Sequence, residues 1–156
     1  MSISTFIREN MSAILSEWTT FAEKTAPPAG EMTKLALTDH AEQILGAIAL
    51  DVETHQSVQQ QFDKSQGDDI DLGPEESAAA IHGRLRHASN FSLLQLSSEF
   101  RALRATVLRL WLPHVSQLSE DTIQEMVRFN EAIDQALAES IDTYSERADR
   151  TRDLFL

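Results

Sequence analysis

The stretch SLLQLSSEFRALRATVLRLWLP, residues 92–113, decides the fold class. Leu96, Phe100, Leu103, Val107, Leu110 and Trp111 recur at helical spacing and put one apolar stripe on an otherwise polar segment. Ser92 followed three residues later by Gln95 is a capping box, and Phe91 with Leu96 stands at the positions of a hydrophobic staple. Pro113, which has no backbone N–H to give, predicts the stop.

The same grammar extends in both directions. Toward the C-terminus, Ser119 is expected to cap a last helix, with Glu120 and Asp121 at its positive end and a Leu118–Ile123 staple. Ile123, Val127, Asn130, Asp134, Leu137, Ile141, Tyr144, Ala148, Thr151 and Phe155 then follow 4-3 spacing, a heptad seam longer than an ordinary globular helix. Its turns from Tyr144 onward are expected to lie beyond a compact bundle. The chain ends on Leu154-Phe155-Leu156, apolar and without a stop signal, and is expected to be cut from a longer one there.

Toward the N-terminus, Pro74 suits the first position of a short helix reaching about His87, with Glu75 and Glu76 beside it. A polar connector covers 65–74. Thr33 is expected to cap a second helix stapled by Met32 and Leu37, with helix or frayed coil persisting to about Lys64. Phe6, Ile7, Met11, Ile14, Leu15, Trp18, Phe21 and Ala22 read as one first helix ended by Pro27 and Pro28. No alternation of period two is present, so the chain is all-α. It divides into a bundle over 1–118 and a long helix over 119–156, which is expected to belong to the bundle first and then to leave it as a dimeric coiled-coil connector.

The chain has 156 residues and a formal charge of −12. One domain of this length with 42% hydrophobic residues buries a core. Zero Cys removes disulfides and thiolate chemistry. The acidic balance argues against nucleic acid, whose binding needs clustered cations. No apolar run approaches the ~20 residues that span a bilayer, and no secretory signal is visible. A cytoplasmic location and no membrane partner are expected. Residues 77–118 carry a charge of +4 between flanking segments of −9 and −6. From residue 77 onward every basic residue is Arg, which suits pairing between oppositely charged helices better than an anion site.

The histidines are His40, His55, His82, His87 and His114. None forms the local pair a metal site needs, so no metal and no cofactor is expected. One helical His as a haem ligand is an alternative. So is a phosphoacceptor role for His82, steadied by Arg84 and Arg86, although His87 stands where a small residue belongs. No Gly-rich phosphate loop, nucleophile elbow or paired-carboxylate pocket occurs. The 156 residues are not expected to be an enzyme.

His82-Gly83, Glu99-Phe100-Arg101-Ala102-Leu103-Arg104, Leu110-Trp111 and Arg128-Phe129-Asn130-Glu131-Ala132-Ile133-Asp134 resemble the RsbRD-type N-terminal sensor domain. This family is related to the non-haem, globin-like N-terminal domains of RsbR stressosome proteins, and occurs at the front of bacterial sensor histidine kinases. The resemblance covers most of residues 1–150. It implies a globin-like bundle of five to six helices with a C-terminal signalling helix, forming a homodimer through that helix. It also implies a parent chain that is an ATP-dependent histidine kinase with a response regulator as partner. Arg152-Asp153-Leu154-Phe155-Leu156 looks like the segment before a kinase phosphoacceptor box. A stressosome scaffold sensor is the alternative from the same resemblance. His82, Arg86, Glu99, Arg104, Arg128 and Asn130 are the candidates for a ligand site or an internal polar network. Asn130, Asp134, Leu137, Ile141 and Tyr144 are the candidates for signal transfer along the seam.

Overall fold

The computed structural model describes residues 1–25, 34–54 and 76–154. Six α-helices occupy them: α1 Ile3–Glu9, α2 Met11–Thr25, α3 Lys34–Glu53, α4 Ala78–Ala88, α5 Leu93–Trp111 and α6 Glu120–Asp153. A 3₁₀ turn, Leu112–His114, follows α5. No strand occurs among the described residues, and the fold is the all-α bundle with a long last helix that the periodicity predicts. No described helix is long and apolar enough to cross a membrane.

The caps read from sequence form as expected on α5 and α6. The Gln95 N–H donates to Ser92 Oγ (3.1 Å) and the Ser92 N–H to Gln95 Oε1 (2.7 Å). The Thr122 N–H donates to Ser119 Oγ (3.2 Å). Leu118 and Ile123, however, are 75% and 48% exposed, so that staple is not buried in the core.

Helix α3 ends at Glu53, and residues 55–64 of the extension expected to Lys64 lie outside the described residues. Two further boundaries differ. The single first helix is two: Asn10 leaves helical backbone geometry at φ −120°, ψ 23°, and its side-chain Nδ2 donates to the Phe6 carbonyl (3.1 Å). Its carbonyl then accepts the Ile14 N–H (3.1 Å) and starts α2. Asparagine does this readily because its short amide competes for backbone partners. The helix expected from Pro74 begins instead at Ala78, capped by Ser77 Oγ on the Ala80 N–H (3.1 Å). The Thr33 cap, its Met32 staple, the 65–74 connector and Phe155 lie outside the described residues.

The core joins all six helices, with Trp18, Leu45, Leu96, Phe100, Trp111 and Phe129 among its buried members. Each such side chain stabilises by about 1.5–3 kcal/mol through removal from water. Both indoles have their N–H satisfied, Trp18 on the Glu99 carbonyl and Trp111 on the Met1 carbonyl, each at 3.0 Å. Helix α4 packs most closely on α6, and α3 and α5 also pack against it. Helix α6, 34 residues and about 50 Å long, is therefore a bundle member for much of its length.

Its buried face runs through Thr122, Phe129, Ala132, Ile133, Ala136 and Ser140. That is one residue, about 100° of helix, from the seam read in the sequence. Of the seam residues, Leu137, Ile141 and Tyr144 are partly buried against the core. Asn130 is half-buried, while Ile123, Val127 and Asp134 are exposed. Tyr144, expected beyond the bundle, is held inside it: its hydroxyl donates to the Phe91 carbonyl (2.6 Å).

Candidate functional site: a buried ion pair against the last helix

Helix α4 carries His82 and Arg86 one turn apart, so both project from one face. That face meets Glu99, which α5 places within its apolar stripe. Arg86 is 0% exposed, and His82 and Glu99 are each 2% exposed. Arg86 grips the carboxylate through two bonds, Nε to Oε1 (2.8 Å) and Nη2 to Oε2 (3.0 Å). Its Nη1 donates to His40 Nδ1 on α3 (3.1 Å), and its guanidinium lies 5.0 Å from the centre of the Phe91 ring. Desolvating two charges is expensive, and the fork-on-fork geometry with further partners offsets it.

His82 bridges the pair to α6. Its Nε2 lies 3.4 Å from Glu99 Oε2 and its Nδ1 lies 2.8 Å from Ser140 Oγ. The ring stands edge-on to Phe100, with centroids 5.1 Å apart. Burial holds the His82 imidazole below its ordinary pKa, and the Arg86 charge adds to this against the pull of Glu99. A neutral ring has one N–H, and the carboxylate claims it. Nε2–H therefore donates to Glu99, and Nδ1 accepts from the Ser140 hydroxyl. His40 is also lowered, by burial first and then by Arg86, which suits an Nδ1 that accepts from a guanidinium. Burial pushes Glu99 up, but its hydrogen bonds and charge interactions with His82 and Arg86 outweigh this and leave the carboxyl below its ordinary value.

A cavity adjoins the cluster, lined by Trp18, Ala41, Ile44, His82, Glu99, Phe100 and Leu103. Its volume, about 10 Å³, holds roughly one water molecule. Both His82 nitrogens are engaged, by Glu99 and by Ser140, so neither is offered to a haem iron in this arrangement. The phosphoacceptor alternative is corrected by the same geometry. His82 is buried with both nitrogens engaged, whereas a phosphoacceptor must meet solvent. Arg86 is spent on Glu99, and Arg84 pairs with Glu76 at the surface (3.4 Å).

Of the six predicted network residues, His82, Arg86 and Glu99 converge. Arg104 does not join them; it pairs with Asp134 where α5 meets α6, with side chains 35% and 63% exposed. Arg128 and Asn130 are half-buried on α6, outside the cluster. The Arg-rich middle segment pairs across helices at the surface as well, Arg109 with Glu17 being a further case.

Two members were missed. His40 follows Leu37 by three residues and precedes Ala41 and Ile44, so it borders an apolar stripe. Ser140 lies in phase with Phe129, Ile133 and Ala136, and a small polar residue in a buried phase is the signal that would have found it.

These features define a class: an all-α bundle organised around a buried ion pair, with its longest helix as the C-terminal element. A family model described as RsbT co-antagonist protein rsbRD N-terminal domain matches residues 5–153. The chain belongs to that family, and this marks it as a regulatory, sensory-type N-terminal domain. No curated protein and no solved structure matches it.

Proposed function

We propose that the chain is the input domain of a cytoplasmic bacterial sensor histidine kinase. In this reading the 156 residues do no chemistry. They pair as a homodimer through α6 and pass a signal along it to a downstream ATP-dependent kinase core, which phosphorylates a response regulator.

The observation that carries the reading is the course of α6. Its middle is bound into the bundle through Phe129, Ile133, Ala136 and Ser140, whereas residues 149–154 are exposed. A rearrangement of the bundle therefore has a rigid element through which to leave it. Ile123 and Val127, 48% and 40% exposed, are available to a second copy, and the polar Asn130 and Asp134 keep such a seam adjustable.

The parent chain incubated with labelled ATP is expected to take up acid-labile phosphate on a histidine outside residues 1–156. Absence of label sinks the kinase reading. The family description, an RsbT co-antagonist, favours a second reading as a stressosome scaffold sensor. Retention of an RsbT-type kinase by an unlabelled parent chain would support it.

A further inference from the structure

The buried cluster touches α6 at two points one helical turn apart. At the first, Ser140 donates to His82, and the α4 backbone presses so close that a Cβ on Gly83 would stand 2.1 Å from the Ser140 carbonyl oxygen. At the second, Tyr144 donates to the Phe91 carbonyl (2.6 Å), and its ring meets that of His87 edge-on, with centroids 5.1 Å apart.

Both points lead back to Arg86. The turn after α4 is a Schellman motif: the Phe91 N–H returns to the Arg86 carbonyl (3.0 Å) and the Asn90 N–H to the His87 carbonyl (3.1 Å). Asn90, at φ 66°, takes the left-handed position usually given to glycine. The contact that commonly closes such a motif is apolar; here the Arg86 guanidinium lies over the Phe91 ring. Arg86 thus fixes the side chain and the N–H of Phe91, the residue whose carbonyl holds Tyr144. His82 fixes Ser140 from the same helix face.

We propose that α4 and its turn form a two-point clasp on α6, at Ser140 and Tyr144, whose closure depends on the Arg86–Glu99 pair. Loosening the pair frees the Phe91 ring and the His82 ring together and releases α6 at its last bundled turns. The proposal rests on the reading of α6 as the output element only for its purpose. The coupling itself is a property of this chain and stands or falls without any kinase.

Amide hydrogen exchange tests it in the intact protein. Tyr144→Phe keeps the ring and removes one donor. It is expected to speed exchange at Ile141–Arg150, and at Asn90 and Phe91, by roughly three- to tenfold, the equivalent of one hydrogen bond, while α2 and α3 stay unchanged. Glu99→Gln is expected to speed the same α6 amides, and the double variant is expected to add little further, since the clasp is already open. Where Glu99→Gln does not fold by circular dichroism, Phe91→Leu stands in, because it removes the ring under Arg86 and keeps the carbonyl. Independent multiplication of the two effects overturns the proposal, as does faster exchange spread evenly over all helices.

Discussion

Gly83 of α4 lies over the main chain of Ser140 of α6 at a distance no side chain permits: an added Cβ would meet the carbonyl oxygen at 2.1 Å and the carbonyl carbon at 2.9 Å. The obstacle is helix backbone, so no rotamer change relieves it. This approach brings His82 within 2.8 Å of Ser140 Oγ, and it explains a glycine inside a helix, where it is otherwise unfavourable by roughly 0.5–1 kcal/mol against alanine.

Gly83→Ala is expected to destabilise the fold by about 1–3 kcal/mol through overpacking. Urea unfolding should show a lower midpoint with an unchanged slope. Adding Ser140→Gly should not restore it, because the clash is with the backbone. An unaltered midpoint would show that α4 and α6 do not pack this way.

Gly46, on the exposed side of α3, gives the opposite expectation. A Cβ there meets nothing within 4 Å. Gly46→Ala should stabilise by about 0.5–1 kcal/mol by restricting the unfolded chain. A rise in the thermal midpoint checks this, and a fall counts against the placement of α3.

Two arginines separate buried from surface pairing. Arg86→Met leaves Glu99 charged and buried without its fork, and should destabilise by about 3–5 kcal/mol. Arg104→Ala breaks only the exposed pair with Asp134 and should stay within about 0.5 kcal/mol. Equal losses in chemical denaturation would contradict the assignment of the cluster to the core.

Acid should destabilise the protein in two stages. His82 and His40 are held below their ordinary value of 6.5. The unfolded chain therefore binds protons that the fold refuses, and stability declines as the pH falls below 6.5. Glu99 is held below its ordinary 4.5, so its contribution is present above 4.5 and lost as the pH falls through its folded value. Thermal midpoints from pH 7 to 4 should decline throughout. His82→Gln should flatten the upper part of that curve, and an unaltered slope there would mean that His82 is not neutral in the fold.

Sequence patterns were most reliable where structure is local. The Ser92–Gln95 box and the Ser119 cap need only neighbours within three residues, and both form. The stripe Leu96–Phe100–Leu103–Val107 is buried as its spacing requires. The α1–α2 break is not legible in the pattern, because the apolar face continues through it and only the backbone turn and side-chain bond of Asn10 mark it. On α6 the register was misplaced by one residue. Thr122 and Ser140 look like surface residues, and Ile123 and Val127 look like core.

By itself, the chain's sequence determined the all-α class, the caps of α5 and α6 and the charge asymmetry that pairs α5 with its neighbours, because these follow from spacing and from contacts a few residues apart. His82, Arg86 and Glu99 already stand in one set of candidates at the level of sequence. Only the tertiary structure decided that this set excludes Arg104, Arg128 and Asn130, and that His40 and Ser140 complete it. Ser140 stands 58 residues from His82, and His40 stands 46 from Arg86. A buried polar group must find its partner wherever the packed chain brings one. Which residue of a wide apolar arc faces inward is likewise set by the neighbouring helix: here α4, whose Gly83 lets the Ser140 backbone come near.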